Sequence, residues 1–292
     1  MTGPVRLWRA GSREISLDHP IVMGILNVTP DRFSDGGNSV SLDAALDHAA
    51  RMIDEGVDII DVSGESTLPG ATPVPADDEI RRVVPVLSAV REKWPSMPLA
   101  IDTVKTSVAR AALDAGADVI NEVSAMHLDP VMPILAGQSK CGLVLLHSRG
   151  GLQDMATYAH ADYKDVTTEV IADLRSRIAV AEKAGVDRKS VVVDPGFGFS
   201  KRSEHSMELL RKLDRFSSLG VPVAVGVSRK RFVREAARIT DEDDERSDEA
   251  TTAVNVMALE RGASIFRVHN VGMARRALDA AWAIAGSGNT RV

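Results

Sequence analysis

The sequence predicts a single α/β domain with the (β/α)8 architecture of a TIM barrel. Eight short apolar segments alternate with eight segments of helical periodicity between residues 20 and 285, as successive βα units require. The strand segments are apolar throughout, which fits a parallel sheet buried on both faces. An open doubly wound sheet is the competing architecture, but no G-x-G-x-x-G motif follows the first strand. Because barrels of roughly 250 residues form one domain, we predict one domain over 1–292, with the barrel at about 20–285.

A short segment before the barrel, residues 5–17, predicts a β-hairpin, since two strand-like stretches flank an Ala-Gly-Ser turn. We expect this hairpin to cover the bottom of the barrel, and we assign it no chemistry.

Each barrel strand is predicted from an apolar run that ends near a polar residue. In order, the strands are Ile21–Val28, Asp58–Val62, Leu99–Asp102, Val119–Val123, Leu143–His147, Val191–Asp194, Val223–Val227 and Ile265–His269. Apolar residues at helical spacing, closed in several cases by glycine, predict the helices. The first begins after Ser41, and the others span Asp78–Trp94, Thr106–Ala115, Val131–Leu135, Lys164–Ala184, Met207–Leu219, Asp248–Glu260 and Val271–Ala285. We expect residues 239–248 to form an acidic loop.

Composition argues against several classes of function. A net charge of −6 argues against a nucleic-acid-binding surface, and no apolar run approaches the roughly 20 residues of a membrane span. The single cysteine, Cys141, excludes an internal disulfide and precedes an apolar run, so we expect a buried structural thiol. Residues 1–16 lack the apolar core of a signal peptide, so we expect a cytoplasmic protein.

Polar side chains stand at the carboxyl ends of the predicted strands, where the βα loops of a barrel form one face. Asp194 is the clearest case, because it follows three valines and precedes Pro195, Gly196 and Gly198, glycines that let the main chain approach a ligand. The full set is Asn27, Ser63–Pro69, Asp102, Asn121, His147, Asp194, Ser228, Lys230, Arg267 and His269. Any one of these could cap a helix or a turn, but so many in one pocket indicate a binding site.

Four of these side chains suit the edge of a flat, nitrogen-rich heterocycle. They are Asp102, Asn121, Asp194 and Lys230. An aminopyrimidinone ring is a good candidate, because a carboxylate accepts from its amino and ring N–H groups while lysine and asparagine donate to its carbonyl and ring nitrogen.

A second group points to phosphate chemistry. Arg267 and His269 end the eighth strand, where barrels most often bind phosphate. Asn27 could join a magnesium shell completed by phosphate and water. The basic run 228–231 could be a nucleic-acid patch, but it follows a buried strand in an acidic protein, which favours a pocket role for Lys230.

Six motifs follow one another along nearly the whole chain. They are Met23–Asp31, Gly64–Thr67, Ile101–Thr103, Asp194–Phe199, Ser228–Lys230 and Arg267–His269. Together, and in this order, they closely resemble the dihydropteroate synthase family.

The resemblance implies a folate-pathway transferase, usually a homodimer, that joins 6-hydroxymethyl-7,8-dihydropterin diphosphate to 4-aminobenzoate and releases diphosphate with the help of Mg²⁺. The composition separately leads us to expect no nucleic-acid or membrane partner. The pterin would be held by Asp102, Asn121, Asp194 and Lys230, of which the two aspartates and the lysine would be catalytic. Diphosphate would be held by Asn27, together with Mg²⁺, and by Arg267 and His269. The 4-aminobenzoate, which sulfonamides mimic, would be held by Thr67, Pro69, Phe199 and Ser228.

The sequence departs from the family pattern at several positions. Leu68 stands where arginine is usual and Arg32 where serine is usual, and we hypothesise that Arg32 compensates for Leu68. Glu122 replaces an aspartate, and its longer side chain could disturb the packing of the ring; Ser200 replaces a glycine, and Asn270 an aspartate. Two alternatives therefore stay open: a pterin-binding paralogue without synthase activity and, less favoured, a pterin-dependent methyltransferase.

Overall fold

An antiparallel hairpin precedes an eight-stranded parallel sheet in the computed structural model, which describes residues 7–29, 42–66, 72–240 and 243–285. The hairpin consists of β1 (Leu7–Ala10) and β2 (Arg13–Ser16). The sheet consists of β3 (Ile21–Asn27), β4 (Ile59–Ser63), β5 (Leu99–Asp102), β6 (Val119–Glu122), β7 (Gly142–Leu146), β8 (Val191–Asp194), β9 (Ala224–Val225) and β10 (Ile265–Val268).

The sheet closes on itself. Its strands pair in the order β8-β7-β6-β5-β4-β3-β10-β9, and a parallel bridge between Val193 and Val223 joins the two ends. The Val193 N–H donates to the Pro222 carbonyl oxygen at 3.0 Å across this seam. The predicted (β/α)8 barrel with an N-terminal hairpin is therefore confirmed.

Helices connect the strands on the outside of the barrel. They are α1 (Leu42–Asp54), α2 (Ala76–Lys93), α3 (Thr106–Asp114), α4 (Met132–Ser139), α5 (Val166–Lys183), α6 (Ser203–Arg211), α7 (Arg231–Ala236), α8 (Asp244–Glu260) and α9 (Val271–Ala285). Two 3-10 helices, Arg188–Ser190 and Leu213–Leu219, complete the described elements. Most predicted bounds differ from these by one to three residues, but two regions differ in kind.

The predicted helix over Met207–Leu219 is instead two elements. The α-helix α6 ends at Arg211, and Lys212 has φ −110° and ψ 22° before the 3-10 helix begins. Leu213, Phe216 and Leu219 are its buried residues. Their spacing of three matches the three residues per turn of a 3-10 helix. The sequence prediction treated this spacing as a continuation of the α-helical spacing before it.

The expected acidic loop over residues 239–248 is wrong in its second half, because α8 begins at Asp244. Asp243 caps the helix by accepting a hydrogen bond from the Arg246 N–H at 3.0 Å, and Asp244 and Glu245 lie in the first turn. Negative side chains are stabilising there, since the first turn of a helix has unpaired N–H groups and a positive dipole end. The short helix α7 was not predicted either.

Two smaller predictions can be compared with the structure. The Cys141 thiol is free and buried, as expected. Within the described ranges, no helix combines the length and the apolar character needed to cross a membrane.

The lower half of the barrel interior is an apolar layer. One buried cluster contains inward-facing residues near the start of all eight barrel strands together with the hairpin: Trp8, Ala10, Ile15, Leu17, Ile21, Met23, Ile59, Ala100, Val119, Val144, Val192, Ala224 and Ile265. Trp8 is fully buried, and its Nε1 donates to the Ser190 carbonyl oxygen at 2.8 Å. The hairpin therefore covers the bottom of the barrel, as expected.

Replacing this central indole should destabilise the whole barrel. We expect Trp8→Ala to lower the free energy of unfolding by about 3–5 kcal/mol, the usual effect of truncating a buried aromatic side chain. Urea denaturation measures the change, and Leu7→Ala, which alters the exposed neighbour on the same strand, is the matched control. Equal midpoints for the two variants would mean that the hairpin does not contribute to the core.

Candidate active site

Above the apolar layer, the inward-facing side chains are polar. The strand register places Asn27, Ser63, Asp102 and Asn121 side by side on four neighbouring strands, β3 to β6. These are residues that the sequence placed at strand ends, so closure of the barrel brings them to one rim as predicted.

The Arg267 guanidinium, on β10, links two carboxylates of this polar layer, Asp61 on β4 and Asp102 on β5. Its Nε donates to Asp61 Oδ2 and its Nη2 donates to Asp102 Oδ2, both at 2.6 Å. Asn121 Nδ2 donates to the same Asp61 oxygen at 3.0 Å. Sequence reasoning missed Asp61, because it lies in the middle of an apolar strand rather than at its end. The only signal was a charged residue inside a buried run.

Burial dominates the electrostatics of Asp102. Loss of solvent raises its pKa to about 7, although Arg267 lowers it, and the negative charge of Asp61 adds to the rise. Asp102 therefore changes protonation near neutral pH, which is unusual for an aspartate.

Asp194 lies at the end of β8 and is fixed by its own loop. Its Oδ1 accepts from the Gly196 N–H at 2.7 Å, and Gly196 has φ +71°. A Cβ at Gly196 would lie 1.9 Å from the His147 carbonyl oxygen, so only glycine fits. Burial raises the pKa of Asp194, with the Gly196 N–H and Lys230 opposing the rise.

Lys230 bends over the same loop. Its Nζ donates to the Phe197 carbonyl oxygen at 2.5 Å and lies 3.9 Å from the centroid of the Phe199 ring. Burial lowers the pKa of Lys230 to about 7, and the opposing attraction of Asp194 does not restore it. Gly198 gives this side chain room, because a Cβ there would lie 2.9 Å from Lys230 Cδ.

Ser228 and His269 meet at the mouth of β9 and β10. The distance between Ser228 Oγ and His269 Nδ1 is 2.9 Å. In the basic run, Arg229 does not face this pair: its Nε and Nη2 each donate to the Asp248 carboxylate of α8 at 2.8 Å. Arg229 therefore anchors the loop, while Lys230 lies over Phe197 and Phe199 of the loop after β8.

Glu122, which replaces the expected aspartate, bonds its own loop. Its carboxylate accepts from Ser124 Oγ at 2.6 Å, from the Ser124 N–H at 3.1 Å, and from the Met126 N–H. Ala125 and Met126 both have positive φ, at 49° and 62°. The longer side chain thus holds a strained turn together, and its negative charge also adds to the rise in the pKa of Asp102.

Glu65, in the Gly-Glu-Ser-Thr motif, is also held by hydrogen bonds within the protein. It accepts from the Val74 N–H at 2.6 Å and from Lys105 Nζ at 2.8 Å, and Lys105 Nζ also donates to the buried Glu79 at 2.6 Å. These contacts hold the two described ends of the β4–α2 loop together. The residues between those ends include Thr67, Leu68 and Pro69, which lie outside the described residues, as does Arg32.

An apolar wall stands beside the polar layer. Phe199, predicted to contact 4-aminobenzoate, packs in a buried cluster with Val104, Val123, Leu146 and Met155 from the neighbouring loops and strand ends. The His147 side chain faces away from this wall: its ring Nε2 lies 3.1 Å from Asp173 Oδ2, and it borders a groove of about 310 Å³ between the loops after β6 and β7 and helix α5.

The described residues contain no group of three or more His, Cys, Asp or Glu side chains arranged to hold a metal ion. Asn27 offers one oxygen, at the half-buried end of β3. This donor set fits a Mg²⁺ ion that takes most of its ligands from a phosphate and from water, and would not fit an ion held by protein side chains alone.

Comparisons with known proteins agree with this geometry. The model of the family described as "Pterin binding enzyme" matches residues 23–269. The dihydropteroate synthase of Streptococcus pyogenes serotype M6 is 46% identical over 250 residues, which cover 86% of this chain and 90% of the relative.

Two solved structures of Xanthomonas albilineans dihydropteroate synthase are also similar. The structure with 4-aminobenzoic acid has a TM-score of 0.88 and 40% identity, and covers 98% of this chain and 99% of that one. The complex with 7,8-dihydropteroate has a TM-score of 0.85 and 38% identity, and covers 96% and 99%. These matches show that the chain belongs to the dihydropteroate synthase family of pterin-binding enzymes.

Proposed function

We propose that the chain catalyses the dihydropteroate synthase reaction, in which 6-hydroxymethyl-7,8-dihydropterin diphosphate and 4-aminobenzoate give 7,8-dihydropteroate and diphosphate. The observation that carries the proposal is the polar layer of Asp102, Asn121, Asp194 and Lys230 above an apolar barrel floor. Similarity to an enzyme solved with 4-aminobenzoic acid and with 7,8-dihydropteroate supports it.

The pterin ring would lie against the polar layer. Asp102 and Asp194 accept from its amino and ring N–H groups, and Lys230 and Asn121 donate to its carbonyl and ring nitrogen. Asn121 already gives one N–H to Asp61, so its second N–H and its oxygen remain for the ligand.

The chemistry is a substitution at the methylene carbon of the pterin. The neutral amine nitrogen of 4-aminobenzoate forms a bond to this carbon, the carbon–oxygen bond to diphosphate breaks with its electron pair on oxygen, and the amine then releases a proton. Positive charge grows on the pterin as diphosphate leaves. The ionised forms of Asp102 and Asp194, held in place before the reaction, stabilise this charge.

The leaving group would be bound by Asn27, Arg267 and His269. Mg²⁺ held by Asn27 and the diphosphate would neutralise negative charge on the departing oxygens. Arg267 is already bonded to Asp61 and Asp102, so it would act close to the pterin side of the leaving group, and His269 would act from its position beside Ser228.

The arylamine would pack against the apolar wall. Phe199 supplies the aromatic surface and Ser228 a hydroxyl group, and Thr67 and Pro69 complete the predicted site. Because sulfonamides mimic 4-aminobenzoate, we propose that they compete for this wall. We further propose a cytoplasmic enzyme, which cell fractionation would test.

Diphosphate release tests the proposed function. We expect purified protein with dihydropterin diphosphate and Mg²⁺ to release diphosphate only when 4-aminobenzoate is present, and chelation of Mg²⁺ to stop the release. Lys230→Ala should lower kcat/KM by about 100-fold or more, the scale for losing one positioned donor. Lys212→Ala removes a partly exposed surface lysine and should have no effect. Pterin binding without any release would instead identify the inactive paralogue.

Proton exchange on pterin binding should reverse its sign near pH 7. Asp102 and Lys230 both have a pKa of about 7 in the free protein, because burial opposes their charged forms. Below pH 7, Asp102 must lose a proton to accept a hydrogen bond, so binding releases protons. Above pH 7, Lys230 must gain a proton to donate to the ring, so binding takes up protons. The affinity for the pterin therefore falls both below and above pH 7.

Calorimetry in buffers of different ionisation enthalpy measures this exchange. Asp102→Asn should reduce the release below pH 7 to the part that comes from Asp194, whose pKa burial also raises, and should leave the uptake above it. A proton count that stays at zero from pH 6 to pH 8.5 would contradict these roles.

Finally, we propose that the last two helices form a homodimer interface. Met257 on α8 and Ile284 on α9 are 40% and 87% exposed, and the two helices pack against each other. Burying such side chains between subunits is favourable. We expect Met257→Glu combined with Ile284→Glu to halve the mass measured by light scattering. Ile134→Glu, on α4, alters an isoleucine that is 52% exposed and should leave the mass unchanged. A wild-type monomer would refute the interface.

A further inference from the structure

Two consecutive residues that follow Phe199 are fully buried. Ser200 is 0% exposed and Lys201 is 1% exposed. A fully buried lysine is rare unless it is paired, and neither residue belongs to the proposed pterin site. Both lie in the loop between β8 and α6, which also supplies Gly196, Phe197 and Phe199 to the pocket.

Ser200 ties this loop to the preceding one. Its Oγ accepts from the Arg149 N–H at 2.9 Å and lies within donating distance of the Arg149 and Met155 carbonyl oxygens, at 2.7 and 3.0 Å. The Ser200 N–H also donates to the Met155 carbonyl oxygen at 2.6 Å. The hydroxyl group is thus hydrogen-bonded to both ends of the segment 149–155.

The backbone at Ser200 is strained. Its φ is +49°, in the left-handed region that disfavours residues with a Cβ. Glycine would adopt this φ freely, and glycine is the residue that the family pattern predicts here. Serine is therefore held in an unfavourable conformation by the surrounding contacts, as strained residues near functional sites often are.

Lys201 holds the other side of the loop. Its Nζ lies within hydrogen-bond distance of four acceptors, the carbonyl oxygens of Gly196, Phe199 and His147 at 3.1, 3.0 and 3.2 Å and His147 Nδ1 at 2.9 Å. Its three N–H groups can donate to three of these at a time. Burial and the nearby Lys201 lower the pKa of His147 to about 3. A neutral His147 accepts at Nδ1 from Lys201 and donates at Nε2 to Asp173.

The side chains held between these two anchors belong to the pocket. Phe199 lies under the Lys230 ammonium, and the Phe197 carbonyl oxygen accepts from it. Met155, whose carbonyl oxygen Ser200 binds, packs in the same apolar cluster as Phe199. A shift of residues 196–200 would therefore move the apolar wall and Lys230 together.

We infer that Ser200 and Lys201 are positioning residues, which fix the loop after β8 so that Phe199 and Met155 form a rigid wall for the arylamine and Lys230 stays aimed at the pterin. This inference rests on the proposed function for its catalytic consequence. Neither side chain touches the substrates; each acts through Phe199 and Lys230.

Kinetics of Ser200→Ala and Ser200→Gly test the inference. Both variants lose the hydroxyl group, but only glycine relieves the strain, so Ser200→Gly should be the more stable of the two. We expect the KM for 4-aminobenzoate to rise about three- to tenfold in both, while kcat at saturation stays within about twofold. A purely structural role would instead make activity follow stability.

Ser190→Ala is the matched control. Ser190 is also a buried serine, but it lies just before β8, at the opposite end of that strand from the pocket. Its KM values should equal those of the wild type.

Lys201→Met should lower kcat/KM for the pterin diphosphate at least tenfold, and this variant is interpreted only if circular dichroism shows it folded.

Wild-type KM values in both Ser200 variants, measured beside an active wild-type enzyme, would overturn the inference. An inactive wild type would refute the proposed function instead. The anchors would then be judged by amide hydrogen exchange of residues 149–155 and 196–200. Faster exchange in Ser200→Ala but not in Ser190→Ala supports them, and unchanged exchange refutes them.

Discussion

The upper half of the barrel depends on how the Arg267 guanidinium is shared between Asp61 and Asp102. A barrel interior must be filled, and side chains of the first strand residues fill its lower half with apolar groups. Carboxylates above this floor would repel each other without a cation between them. Arg267 supplies that cation at 2.6 Å from each, and a buried pair of this kind costs several kcal/mol if one partner is removed. Asp61 Oδ1 is buried and has no hydrogen-bond partner among the described residues. The polar layer therefore has one more acceptor than it has donors at this point.

Much of the fold and of the site rim could be read from the sequence, because strand ends in a parallel barrel converge whatever the loops do. Asp102, Asn121 and Asp194 follow apolar runs, so their placement needs only the strand count. Asp61 could not be found in this way. Its role follows from facing inward towards Arg267, more than 200 residues away in the chain, and only barrel closure creates that contact.

The sequence was least informative where local and long-range forces compete. The helix over Met207–Leu219 was misread because apolar spacings of three and of three to four residues look alike over two turns, and the break at Lys212 has no glycine or proline. Lys201 appears in the chain as an ordinary charged residue after a glycine-rich turn. Its burial is set by carbonyl groups of its own loop and by His147, which no periodicity could indicate.

Burial gives this site its chemical character. A carboxylate and an ammonium in water would both be fully charged at neutral pH, but Asp102 and Lys230 each have a pKa of about 7. These two groups are thus easily neutralised near pH 7, and a ligand with matching donors and acceptors favours their charged forms. Such a pocket discriminates by hydrogen-bond pattern, because a ring that lacks one donor leaves a buried carboxylate unpaired. The same carboxylates then face the carbon on which positive charge develops, so the groups that select the pterin also lower the barrier to its substitution.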